Sequence, residues 1–253
     1  MDLGKRFEKF NLSVLKTVGK GTYGNVFLCE IRVNNQLTIV KDIELCIKVK
    51  NHKLDIANEV KILSAIKHPN VIRFYDCYYT DNHVMISMEY ATSGNLAEYM
   101  YQRCPKLIKQ QEILFFFSQV LLGVNYIHNL DIIHRDLKAE NILLTVQKRL
   151  VPLLELRTIW HRNYVKENLT IVKAMFGRWD AITSGSVHPI ELGTYSRGMQ
   201  DLIDSMLSIL ADKRPTIRDL MGRNILLPTI YTVFLDAGND ELLYLKANNE
   251  FND

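Results

Sequence analysis

His134-Arg135-Asp136-Leu137-Lys138-Ala139-Glu140-Asn141 decides how this chain is read. An acid, a cation two residues on and a carboxamide three residues after that form a constellation for moving a phosphoryl group. Asp136 is placed to accept a hydroxyl proton and orient the attacking oxygen. Lys138 would offset charge growing on the transferring group, and Asn141 would hold a divalent metal through its amide oxygen. Leu143 is placed to form an apolar floor under a purine. One His-Arg-Asp alone is a surface charge cluster as easily as a site. The offsets of Lys138 and Asn141, after an amphipathic helix and downstream of a glycine-rich strand turn, argue for the site.

That glycine-rich turn is Gly19-Lys20-Gly21-Thr22-Tyr23-Gly24-Asn25-Val26. Glycines let backbone approach phosphates and turn tightly without a Cβ clash. The string by itself is weak, because dinucleotide folds place a similar one before a helix. Strand-like residues flank it here, Leu12–Val18 and Val26–Ile31, which favours a flap over phosphates. A lysine to hold those phosphates has two candidates, Lys41 and Lys48, and its carboxylate partner on the following helix would be Glu59. Glu59 lies 18 residues after Lys41, room for a strand end, a turn and two helical turns, but only 11 after Lys48. Lys41 is the assignment, with Lys48 the alternative.

With both motifs in place, residues 11–145 resemble the protein kinase superfamily, and more narrowly the NIMA-related serine/threonine kinases. Val84-Met85-Ile86-Ser87-Met88-Glu89-Tyr90-Ala91 resembles their strand-to-hinge segment and Gly94-Asn95-Leu96-Ala97-Glu98-Tyr99 their next helix. The resemblance is nearest to the subgroup that carries a C-terminal β-propeller, although this chain ends at Asp253 without one. It implies ATP and Mg2+ as cofactors and a protein substrate with Ser or Thr, its regulatory partner unspecified. It also implies an adenine site of Val18, Val26, Met88 as gatekeeper, and Glu89 to Ala91 as hinge, beside Gly19, Gly21, Gly24, Lys41, Glu59 and Leu143. Lys138 in Asp-Leu-Lys-x-x-Asn resembles serine/threonine rather than tyrosine kinases. The implied fold is α+β and two-lobed, a strand-rich N-lobe over residues 11–90 and a helical but incomplete C-lobe over 91–227. A tail over 228–253 carries no readable pattern.

Local patterning agrees with that architecture. Residues 10–43 alternate and are rich in Val, Ile, Thr and Phe, with an Asn-Asn turn among them. Ile56, Val60, Leu63 and Ile66 recur at helical spacing until Lys67-His68-Pro69-Asn70 stops them. Strands are expected over Val71–Tyr78 and Val84–Met88. Helices are expected over Asn95–Gln102, Gln110–His128, Glu167–Phe176, Arg197–Ile209 and Thr216–Arg223.

Composition removes other classes. The net charge is only +3, and the 31 Lys and Arg are scattered, so no nucleic-acid surface is expected. No run approaches the roughly 18 apolar residues of a membrane span, and Met1–Lys9 lacks a signal-peptide core. A cytoplasmic protein is expected, with cytoskeletal or nuclear association left open. The four cysteines lack metal spacing and read as buried, reduced thiols.

The kinase pattern then breaks. The resemblance places a metal-binding Asp-Phe-Gly about 14 residues after Asn141, where Leu154-Glu155-Leu156-Arg157 stands. Neither Ala-Pro-Glu nor the Asp-x-Trp-x-x-Gly string of the central C-lobe helix follows. A deletion of roughly fifty residues joined near Val151-Pro152 accounts for all three losses. Takeover of the metal by Glu155, a specialised pseudokinase and an unstable truncated isoform are the other readings. Loss of the central helix should leave Phe115, Phe116, Val120 and Leu121 facing water. It should also leave Arg214, in Asp212-Lys213-Arg214-Pro215-Thr216, without its glutamate.

Overall fold

The computed structural model describes residues 3–21, 24–45, 52–104, 106–134, 136–145, 149–152, 194–208 and 210–237. The chain divides into two compact units, residues 1–92 and 93–253. The fold is α+β, with a protein kinase-like strand-rich first unit and a mainly helical second one.

The first unit begins with a helix absent from the sequence reading, α1 (Leu3–Glu8). Five antiparallel strands follow: β1 (Leu12–Gly21), β2 (Gly24–Ile31), β3 (Gln36–Glu44), β4 (Phe74–Tyr79) and β5 (His83–Glu89). They order as β1-β2-β3-β5-β4. Between β3 and β4 runs α2 (His52–Ala65). The β2–β3 turn carries Asn35 at φ 55, a left-handed position that Asn tolerates better than most residues. One face of the sheet buries Phe27, Cys29, Val40 and Met85 with Phe7 of α1, and Phe7 meets the Phe27 ring edge-on at 5.3 Å.

The second unit is organised around α4 (Gln110–Asn129), preceded by α3 (Leu96–Arg103). Asn95 starts α3 as a capping box: its side chain takes the Glu98 N–H at 2.9 Å, and Glu98 takes the Asn95 N–H. The ribbon β6 (Ile142–Leu144) and β7 (Leu150–Pro152) lies beside α4. Later come α5 (Arg197–Met206), α6 (Ile217–Met221) and α7, helical over 227–237. Ser196 and Thr216 cap α5 and α6 through their side chains.

Two expectations are corrected here. Phe116, Val120 and Leu121 do not face water: they are at most 1% exposed, and Phe115 is partly buried. Met199, Leu202, Ile203, Met206, Ile217, Leu220, Leu226, Ile230 and Val233, from α5, α6, the turn before α7 and α7 itself, share their cluster. Apolar burial of this kind is non-directional, so any helix with a matching stripe serves. Residues 228–237, read as patternless tail, are helical, and Ile230 and Val233 supply part of that core. The helix expected over Glu167–Phe176 lies outside the described residues.

Candidate active site

In the first unit, strand register places the residues that the sequence assigned to a nucleotide. Val26 pairs with Lys41, Lys41 with Ile86, and Ile39 with Met88. Directly paired residues of an antiparallel sheet share a face, and so do residues two apart on one strand. Val26, Ile39, Lys41, Ile86 and Met88 therefore line one face. Lys41 is only 9% exposed, which a lysine accepts only when its ammonium is engaged. Met88 is buried on the same face. Val18 is different: it lies between the shifted pairings of Thr17 and Gly19, and is 52% exposed.

The three glycines have separate roles. Gly24 sits at φ 152, and a Cβ there would overlap the Asp42 carbonyl oxygen and lie 2.9 Å from its carbon. Only glycine lets β2 approach β3 so closely. Gly19 has open space around its would-be Cβ. Gly21 pairs with Gly24 at the hairpin end; Thr22, Tyr23 and the side of Gly21 lie outside the described residues, as does Lys48. Glu59 falls in α2, but its side chain is also outside the described set, so no Lys41–Glu59 contact is drawn.

The hinge residues close this half. The Glu89 N–H donates to the Arg73 carbonyl at 2.8 Å, and Glu89 Oε2 accepts the Arg73 N–H at 3.2 Å. The Thr38 hydroxyl lies 2.8 Å from the Met88 carbonyl. Ala91 is buried, and among the described residues no protein acceptor takes its backbone N–H.

In the second unit the catalytic-loop residues converge. Asn141 Nδ2 donates to both the backbone oxygen and Oδ2 of Asp136, each at 2.8 Å. Lys138 Nζ reaches the same Oδ2 at 2.8 Å. Asn141 is 8% exposed, whereas the Asp136 and Lys138 side chains are about half exposed. Asp136 Oδ2 is thus committed, while Oδ1 has no hydrogen-bond partner among the described residues. With its amide nitrogen turned to Asp136, Asn141 Oδ1 faces elsewhere. Arg135 lies outside the described residues, and so does Glu155.

Leu143 is held from both sides. It pairs with Val151 across the β6–β7 ribbon and bridges to Asn95. Leu144 exchanges two 2.9 Å bonds with the backbone of 93–94. From α4, buried Gln119 accepts the Leu150 N–H at 2.8 Å. Ile39 and Ile86 share this face with Lys41 and were not among the expected site residues; counting two back from Lys41 along its strand places the first there.

Residues 12–156 match the protein kinase domain family, and the chain belongs to it. The chain is 31% identical over 265 residues to the serine/threonine-protein kinase Nek8 of Danio rerio, covering 88% of this chain and 38% of that protein. To Nek3 of Mus musculus it is 26% identical over 261 residues, covering 87% and 50%. To the human NUAK family SNF1-like kinase 1 it is 35% identical over 137 residues, covering 54% and 20%. It spans half or less of the length of these relatives. The Nek alignments are longer than the stretch of this chain they cover: 265 positions against 88% of 253 residues leave about 42 facing nothing here. The Nek3 figures leave about 41.

Proposed function

We propose that this chain is a serine/threonine kinase of NIMA-related type that retains its nucleotide face and catalytic loop but transfers phosphoryl groups poorly. The observation that carries the proposal is the commitment of Asp136 Oδ2 to Asn141 and Lys138. That arrangement leaves Asp136 Oδ1 to take the proton of a Ser or Thr hydroxyl on a protein substrate. Lys138, half exposed beside it, offsets charge on the transferring group.

On the nucleotide side, Val18, Val26 and Met88 of the first unit supply apolar lining for adenine; Leu143, in the second unit, is assigned to adenine by the family resemblance alone. Glu89 to Ala91 offer backbone groups for its edge, and Gly19, Gly21 and Gly24 give phosphates room. Lys41 answers their charge, and Glu59 is its proposed partner. Mg2+ is only half provided for. Asn141 Oδ1 is a fitting amide-oxygen ligand, but among the described residues no group of three His, Cys, Asp or Glu could hold a metal. Bound Mg2+ would neutralise phosphate charge, and positioning with charge stabilisation is nearly all the catalysis a kinase provides.

The shortfall has a place in the chain. The β6–β7 pairing runs to Pro152, opposite Ile142, and the expected metal aspartate would follow within a few residues. The forty-odd unmatched positions in the Nek alignments are close in number to the roughly fifty residues expected to be deleted, and we assign them to this place. Within the NIMA-related kinases we place the chain nearest the subgroup with a C-terminal β-propeller. Sequencing the transcript across Val151-Pro152 and past Asp253 tests both placements.

The functional test is nucleotide affinity with and without Mg2+. Weak binding is expected, lowered by Lys41→Met and little changed by Lys48→Met; absence of binding in both conditions would overturn the nucleotide assignment. Transfer of labelled phosphate to a casein-like protein should be negligible. Transfer that disappears in Asp136→Asn would show a complete metal site and point to Glu155.

A further inference from the structure

The α1 helix grips the strand that carries Lys41. Arg6 Nη2 meets Asp42 Oδ2 at 2.9 Å, with the two side chains 9% and 2% exposed. His83, the first residue of β5, meets the other carboxylate oxygen at 3.0 Å. Next along α1, Phe7 is fully buried in one cluster with Phe27 and Val40. Val40 and Asp42 are the two neighbours of Lys41 on β3, and both project from the face opposite it. One turn of helix thus holds β3 on either side of the lysine, and holds β2 at Phe27, next to Val26.

The arrangement is costly to keep. A guanidinium so deeply buried loses hydration, and Arg6 Nε finds no hydrogen-bond partner among the described residues. The Asp42 carboxylate is the compensating charge, and removing one partner of such a pair leaves the other buried and uncompensated. The Asp42 backbone also forms the wall against which Gly24 packs. A shift at Asp42 therefore moves the lysine and the glycine turn together.

We propose that Arg6 is a positioning residue for Lys41: α1 sets β3 through Asp42, and residues 3–8 belong to the nucleotide-holding apparatus. The proposal rests on the assignment of Lys41 made above. Affinity for ADP with Mg2+ is measured on the full chain as wild type, Arg6→Leu, Arg6→Lys, Lys41→Met and the Arg6→Leu/Lys41→Met double variant. Arg6→Leu should weaken binding about tenfold, since small misplacements of a positioned group cost at least that. Arg6→Lys should restore most of it, because an ammonium can still answer Asp42. In the Lys41→Met background, Arg6→Leu should add nothing, the mark of residues acting as one unit.

Hydrogen exchange of amides 39–43 without nucleotide supplies a reading independent of binding. It should speed up in Arg6→Leu and not in Lys41→Met. An Arg6→Leu protein that melts earlier yet keeps both its ADP affinity and its protection at 39–43 would reduce Arg6 to a stability residue and overturn the proposal. So would additive losses in the double variant. If the wild type binds no ADP, the nucleotide assignment has failed and exchange alone judges the grip: lost protection at 39–43 upholds it, and unchanged protection overturns it. Should Arg6→Leu not fold, the same comparisons are read from Arg6→Lys against Asp42→Asn.

Discussion

The two units hold their functional residues by different means. In the first, Val26, Lys41 and Met88 take their places from backbone pairing, rung by rung across β2, β3 and β5. In the second, Asp136, Lys138 and Asn141 are tied by side-chain bonds within a six-residue loop, around one carboxylate oxygen. A sheet spreads its positional information over many hydrogen bonds, so one side chain rarely decides it. A loop concentrates it. Damage to the first unit should come from backbone intrusion or from loss of the Arg6–Asp42 grip on β3, and damage to the second from loss of a single amide.

The largest effect should follow Gly24→Ala. A Cβ there overlaps backbone rather than a movable side chain, and the φ of 152 is itself unfavourable for alanine. A loss of about 3 kcal/mol or more is expected, against a few tenths for Gly19→Ala, where the space is open. Denaturant titration of the two variants compares them; similar midpoints would show that the hairpin tolerates a shift at Asp42.

Next is Asn141→Leu, which removes two 2.8 Å bonds to Asp136, one of them to a carboxylate. About 2 kcal/mol should be lost, while Lys138→Ala, breaking an exposed pair, should cost under about 1 kcal/mol. Equal losses would mean that the loop is held by the ion pair and not by the amide. Arg214→Leu comes third. The arginine expected to stand alone is half buried, and its Nε donates to the Ser208 carbonyl at 2.8 Å. Removing that bond should cost about 1 kcal/mol; a melting temperature that rises in Arg214→Leu would show that burial outweighs the bond.

A further effect concerns pH in the first unit. Burial pushes the His68 imidazole down to about 4, and its Nδ1 accepts the Asn70 N–H at 3.0 Å. The unfolded chain binds a proton near pH 6.5 that the folded chain refuses until about pH 4. Stability from this residue is therefore present above 6.5 and declines as pH falls through that window. His68→Asn, which keeps an acceptor near the same place, should flatten the decline in melting temperature between pH 7 and 4. An unchanged slope would move the acid sensitivity to another group.

Much of the architecture was legible because it rests on local signals. Ile56, Val60, Leu63 and Ile66 marked α2, and the helices expected from Asn95 and from Thr216 are found there as α3 and α6. The catalytic loop was legible for a related reason: Asp136, Lys138 and Asn141 are neighbours in sequence, so their convergence needs no long-range information. What escaped was non-local. Helix α1 has six residues and no repeat, and only its distant partners Phe27 and Asp42 explain it. The cover over α4 escaped likewise, because an apolar stripe announces that it will be buried but not which helix will bury it. The cysteines show the same limit: Cys29 is buried, its thiol pushed up to about 12 by desolvation, whereas Cys104 is exposed.

The bond from the Leu150 N–H to Gln119 also bears on how the protein behaves in a crowd. A two-stranded ribbon has outer edges, and an unpaired edge invites a strand from another molecule. Here β6 turns its outer side to residues 93–95, and β7 has its outward amide at Leu150 occupied by a buried side chain of α4. Gln119→Leu keeps the volume but removes the acceptor from that buried amide, a loss of about 1–3 kcal/mol. The closing of this edge is thus entrusted, at Leu150, to a carboxamide in the interior.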